Sequence, residues 1–169
     1  MYNIGEIIIY TTYGVCKIED ITSQTFNGET KSYYILKPIN DQKSLLQLQS
    51  DNPIVLSKLR HLLSVDGIFE LIHSMPLIET YWIDNDNERK KHFSNIIKSG
   101  SRAETIAVIK SINEHHANLK ERGRKLHASD EQYLKDAEKL IYDEISYVLG
   151  IERKLVPTFI NNELNIYEE

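Results

Sequence analysis

Along residues 6–49 apolar and polar positions follow the short period of β-strands, whereas beyond residue 65 they recur at the three-to-four spacing of helices. Glu6–Tyr10 is a β-branched run that ends in the turn Thr11-Thr12-Tyr13-Gly14. Val15–Ile21 alternates as a half-buried strand does. In Phe26-Asn27-Gly28-Glu29 the Asn-Gly pair suits the two positive-φ positions of a type I′ turn, so Lys31–Lys37 is expected as the return strand, stopped by Pro38. Ser44–Gln49 follows the polar loop 40–43 as a fourth strand. Short strands at such close spacing predict a small SH3-like or Tudor-like barrel.

After Asp51-Asn52-Pro53 the helical period takes over. Asp66 is the expected cap of a short helix bearing Ile68, Phe69, Leu71 and Ile72, which Pro76 stops. A second helix is predicted from Asp84–Asp86 to Lys98, with Phe93, Ile96 and Ile97 on its apolar face and Gly100 at its end. Two capping boxes follow. Ser101-x-x-Glu104 opens a helix bearing Ala103, Ile106, Ala107, Ile109 and Ile112. Ser129-x-x-Gln132 opens another with Tyr133, Ala137, Leu140, Ile141, Ile145 and Val148, ended by Gly150, and Pro157 precedes a last helical piece. The pattern therefore predicts an α+β chain: a small β-barrel over residues 1–64, then an all-helical bundle over residues 65–169.

A net charge of −5 argues at first sight against a nucleic-acid partner, but the charge is unevenly spread. Residues 84–127 hold ten Lys/Arg against six acids, between two acidic flanks. The single cysteine, Cys16, excludes an intramolecular disulfide and a cysteine zinc site, and a buried strand position is its expected role. No signal-peptide pattern and no apolar stretch of membrane length is visible, which makes the cytoplasm the expected compartment.

Catalytic signatures are missing: no Gly-rich phosphate loop, no His-Glu-x-x-His and no Gly-x-Ser-x-Gly. Glu114-His115-His116 lacks the i, i+4 spacing with which a helix chelates a metal, and is expected on a solvated helix face. Non-catalytic chemistry is better represented. Lys120-Glu-Arg-Gly-Arg-Lys125 is either a solvated interhelical turn or a phosphate clamp. Arg89-Lys90-Lys91 forms a second basic cluster beside Asp86 and Glu88. Trp82, the only tryptophan, precedes that cluster as either a core anchor or an apolar wedge for DNA.

Taken in order, Ile4–Tyr10, Tyr13-Gly14-Val15, Asn27-Gly28-Glu29 and Tyr33–Leu36 resemble the opening of bacterial CarD/CdnL-type proteins. Arg89-Lys90-Lys91, Lys98-Ser99-Gly100 and Asp130–Leu140 resemble the helical domain of the same family. The resemblance implies a Tudor-like domain that binds the β subunit of RNA polymerase, and a helical domain that meets promoter DNA near the −10 region and prolongs the open complex. Carried over by position, it implies polymerase contacts at Tyr10, Tyr13, Gln24, Tyr34 and Gln47. It likewise implies DNA contacts at Trp82, Arg89, Lys90, Lys91, Lys120, Arg122, Arg124 and Lys125. Gln24 and Gln47 stand where the family has arginines, and acidic Asp84 and Asp86 follow the tryptophan where the family is basic. The expected molecule is a monomer without cofactor, metal, membrane or small-molecule substrate, associated with the nucleoid through polymerase. The alternative is a protein-only polymerase adaptor without a DNA role.

Overall fold

A computed structural model describes residues 1–11 and 13–168; Thr12, within the expected first turn, lies outside the described residues. The chain divides into two units, Met1–Leu62 and Leu63–Glu169.

The first unit is an antiparallel sheet of β1 (Ile7–Tyr10), β2 (Gly14–Phe26), β3 (Glu29–Pro38), β4 (Leu46–Gln49) and β5 (Leu59–His61), with the one-turn helix α1 (Pro53–Leu56) before β5. The spatial order is β4-β3-β2-β1-β5. Ile8, Cys16, Ile18, Tyr34, Leu36 and Leu59 form its core. The alternation of β2 does not run through unbroken. Ile18 pairs with Leu36, but Asp20 pairs with Ile35, so the register shifts at Glu19. Past that bulge Ile21 stands opposite Tyr34, and unlike the buried Cys16 and Ile18 it is exposed.

The return strand lies inside the sheet, because Tyr33–Leu36 pair with Leu46–Gln49 and the outer strands are β4 and β5. A fifth strand joins the four expected ones. The three residues of β5 are too few for a period to show in the sequence. They are strand because β1 offers them an unpaired edge, with Ile8 opposite His61 and Tyr10 opposite Leu59.

The second unit contains α2 (Val65–Ser74), α3 (Asp86–Ser99), α4 (Arg102–Glu121), α5 (Ala128–Leu149) and α6 (Val156–Glu168). Its core joins Ile68 and Ile72 to Phe93, Ile106, Val108, Ile112, Ala137, Ile141, Ile145 and Val156. Gly100 and Gly150 terminate α3 and α5 in the left-handed conformation, as expected. Ser101 caps α4 by accepting from the Glu104 amide. Two caps differ from expectation. Ser64, not Asp66, caps α2 by accepting from the Gly67 amide at 3.0 Å. The first turn of α5 begins at Ala128 and is anchored by the buried Asp130 rather than by a Ser129 cap. Pro157 sits inside the first turn of α6, where a missing N–H breaks no helical bond.

Glu144, fully buried on α5, gathers the start of this unit. It accepts from the Leu63 amide at 2.9 Å and from Arg102 Nε and Nη2 at 2.8 and 2.6 Å, tying the first residue of the unit to the first turn of α4.

The β2–β3 turn has Asn27 at φ 50° and Gly28 at φ 82°, with open space where a Cβ would lie at Gly28. Gly28→Ala therefore meets backbone strain but no clash, and is expected to destabilise the chain by about 1–2 kcal/mol. Urea unfolding followed by circular dichroism checks this, and an unchanged midpoint would contradict a type I′ turn here.

Candidate functional site

The segment Thr80–Trp82, outside any helix or strand, is laid along one face of α4. Residues three and four apart on a helix share a face, and Ser111, Glu114 and His115 do so here. Thr80 Oγ1 donates to Glu114 Oε2 at 2.5 Å, and the Tyr81 amide donates to Ser111 Oγ at 3.0 Å. The His115 imidazole stacks on the Trp82 indole, with ring centroids 3.6 Å apart and planes 9° from parallel. Tyr81 also bonds His92 of α3 through its hydroxyl at 3.0 Å. Three consecutive residues are thus placed by three positions of one helix.

Trp82 is partly buried, edge-on to Phe93 at 6.2 Å, with the Arg89 guanidinium carbon 4.6 Å from its ring centroid. Core anchor and wedge are both open from the sequence; in the fold the ring has one edge in the core and one on the surface. A groove of about 230 Å³ lies beside it, lined by Trp82, Asp84, Asp86, Arg89, Arg124, Lys125 and His127 among others.

Arg89, expected to contact DNA, is only 2% exposed. Its Nε and Nη2 form a fork on Asp130 at 3.0 Å each, Nη2 also reaches Asp86 at 2.7 Å, and Nη1 reaches the carbonyls of Ile83 and Asp84. All donor positions are taken, so this arginine holds the wall of the groove together and is not offered to phosphates. The Arg89 hydrogen bond holds the Asp86 carboxyl below its usual range, so Asp86 stays ionised at the groove mouth.

The remaining basic candidates lie where a ligand can reach them. Lys120, Arg122, Arg124 and Lys125 are exposed at the end of α4 and the turn after it, where Gly123 adopts φ 67°. Lys91 is exposed on α3 and Lys90 partly so. The structure brings Arg124 and Lys125 to Trp82 through the shared groove.

In the first unit, strand register sorts the other candidates. Gln24 pairs with Lys31, Tyr33 with Gln49, and Ile35 with Gln47. Opposed residues share a face and neighbours along a strand do not, so Gln24, Tyr33 and Gln47 lie on one face of the sheet. Tyr34 points the other way. It is 2% exposed, its hydroxyl accepting from the Tyr2 amide at 3.3 Å, and its expected role as a partner contact is corrected to a core role. Tyr10 and Tyr13 stack on each other at 5.7 Å beside the β1–β2 turn, with Tyr13 exposed. Sequence reasoning misses Tyr33 and Phe26; Phe26 is 79% exposed and lines a hollow with Gln24, Lys31 and Tyr33.

The CarD-like/TRCF RID domain model matches residues 2–59, and the CarD C-terminal domain model matches residues 70–161, more than half of the chain. The chain belongs to the CarD-like family. A Bacillus subtilis (strain 168) protein named "Putative transcription factor YdeB" is 23% identical over 159 residues, which cover 94% of this chain and 99% of that protein. CarD-like proteins regulate transcription through interaction with RNA polymerase, and theirs is not an enzymatic family. Among the described residues, no group of three or more His, Cys, Asp or Glu side chains is arranged to hold a metal, and no helix is long and apolar enough to cross a membrane.

In this CarD-like chain Arg89 and Lys91 are expected to part company on substitution. Arg89→Met strands Asp130 in the interior without a counter-charge, at a cost of about 3–5 kcal/mol, whereas Lys91→Ala stays within about 0.5 kcal/mol. Thermal unfolding of the two variants checks this, and similar melting temperatures would refute the structural role of Arg89.

Proposed function

We propose that this CarD-like regulator docks on the β subunit of RNA polymerase through the sheet face bearing Gln24, Tyr33 and Gln47, and holds promoter DNA beside the −10 region with its helical unit. Tyr10 and Tyr13 add an aromatic contact at the β1–β2 turn. Trp82 packs against the upstream edge of the melted DNA, and Lys120, Arg122, Arg124 and Lys125 meet its phosphates, with Lys90 and Lys91 extending the basic surface. The observation that carries this reading is the groove that sets Trp82 beside Arg124 and Lys125. An aromatic edge flanked by cations is the chemistry with which proteins hold unstacked base steps.

Asp84 and Asp86 on the same groove weaken any contact with free DNA. Docking on polymerase offsets this, because a tethered second contact sees DNA at an effective concentration near the millimolar range. A protein that binds the melted state better than the closed one shifts the equilibrium by its differential affinity, about tenfold for 1.4 kcal/mol.

The test is the lifetime of promoter open complexes formed with polymerase and the full-length chain. Trp82→Ala is expected to shorten the lifetime about tenfold while polymerase binding persists, a base stacked on an aromatic ring being worth about 1–3 kcal/mol. Combined Lys120→Ala, Arg122→Ala, Arg124→Ala and Lys125→Ala lowers the salt dependence by about one unit of slope for each phosphate that is no longer neutralised. If both variants match the parent protein on DNA while still binding polymerase, the protein is an adaptor and the DNA contacts are refuted.

A further inference from the structure

Trp82 is not a lone ring. The indole and the His115 imidazole lie in parallel at 3.6 Å, and both rings line the basic groove on one side and the hollow with Thr80, Glu114 and Asn118 on the other. The pair is a ridge between two concavities. The same α4 face grips Thr80 through Glu114 and Tyr81 through Ser111, so the backbone that carries Trp82 is registered against the residue that stacks on it.

We propose that His115 is the positioning residue of Trp82: its stacked imidazole sets the orientation of the indole and completes a two-ring ridge that the protein presents to DNA. The DNA part of this inference rests on the proposed function, whereas the positioning is a property of the free protein. A flat ring on the indole does two things. It restricts rotation of Trp82 about its side-chain bonds, leaving less entropy to lose when DNA arrives, and it supplies stacking worth that of one aromatic pair.

The charge state of His115 is coupled to the same geometry. Burial, and then the charge of Arg89, push its imidazole below its ordinary value of 6.5. The groups that face it are Arg89 from α3, Asp84 from the segment before α3, Asp130 from α5 and His127 from the connection between α4 and α5; Asp130 and Asp84 oppose the shift and His127 reinforces it. At neutral pH the imidazole is therefore uncharged and lies flat beside an indole that already has a guanidinium near its ring. Protonation adds a second cation close to Arg89 and loosens the stack.

The only tryptophan of the chain is the probe. In the full-length protein without DNA, His115→Ala is expected to red-shift Trp82 emission and raise its quenching by acrylamide, whereas His115→Phe keeps the ring shielded. Parent emission is expected to fall below pH 6.5 as imidazolium quenches the indole. That step survives His127→Ala and vanishes in His115→Phe. In open complexes, His115→Ala shortens the lifetime about threefold to tenfold and His115→Phe changes it less than about twofold, as replacement of one aromatic pair by another requires. Unchanged emission in His115→Ala, or a pH step that persists in His115→Phe, overturns the positioning role. A longer lifetime in His115→Ala also overturns it, because the imidazole would then compete with DNA for the indole. If the fluorescence behaves as expected but Trp82→Ala leaves the lifetime unchanged, the DNA reading fails and the positioning of Trp82 stands.

Discussion

A guanidinium taken out of water keeps its charge, so every N–H it carries must find an oxygen. Arg89 meets this demand with two carboxylates and two backbone carbonyls drawn from three parts of the helical unit. Asp130 joins α3 to the first turn of α5; Asp86 closes the start of α3; the carbonyls of Ile83 and Asp84 fix the chain immediately after Trp82. Remove the cation and Asp130, fully buried, has no counter-charge, while the segment that carries the tryptophan loses its anchor. The chain on the far side of the indole is therefore held by a salt bridge made seven residues later, while α4 holds the residues before it.

This explains why a basic triplet misleads when only its composition is considered. Arg89, Lys90 and Lys91 are equal as charges in a sequence, yet successive residues on a helix point about 100° apart, and only one of the three faces α5. Arginine suits that place because its fork matches a carboxylate and its charge is not lost on burial. What the sequence does not display is the partner: Asp130 lies 41 residues away, in a stretch that reads as an ordinary capping region. The α2 cap shows a milder form of the same limit, since Ser64 and Asp66 are both good caps and only the backbone decides between them.

Much of the remainder is legible where a local rule acts alone. The Asn-Gly hairpin, the glycines that end α3 and α5, and the apolar stripe of Phe93 and Ile96 depend on residues close in sequence and appear in their expected places. Errors fall where a long-range pairing decides. Tyr33 and Tyr34 are chemically alike, and the phase of the alternation separates them. That phase is fixed by which β3 positions reach the core: Tyr34 lies two residues from Leu36 and shares its buried face, whereas Tyr33 lies on the other. The bulge at Glu19 decides only which residue of β2 stands opposite each, Ile21 opposite Tyr34 and Thr22 opposite Tyr33. β5 is invisible in the sequence for a related reason, being defined by the edge of β1 rather than by any pattern of its own.

The candidate site combines these two kinds of information. Its cations are visible as a sequence run, and their exposure follows from the turn at Gly123. Its acids have a different logic. Asp86 is needed by Arg89, so the groove cannot be made uniformly basic without disturbing the pair that holds Trp82. A surface built under that constraint attracts phosphates only in part, and its field is screened beyond about 10 Å at ordinary ionic strength. Such a groove selects for DNA that is already held close and already unstacked, where the indole edge adds what the mixed charges do not. On the proposed reading, a net acidic chain with a compromised basic groove is thus suited to act on a promoter that polymerase has opened, and poorly suited to search for one by itself.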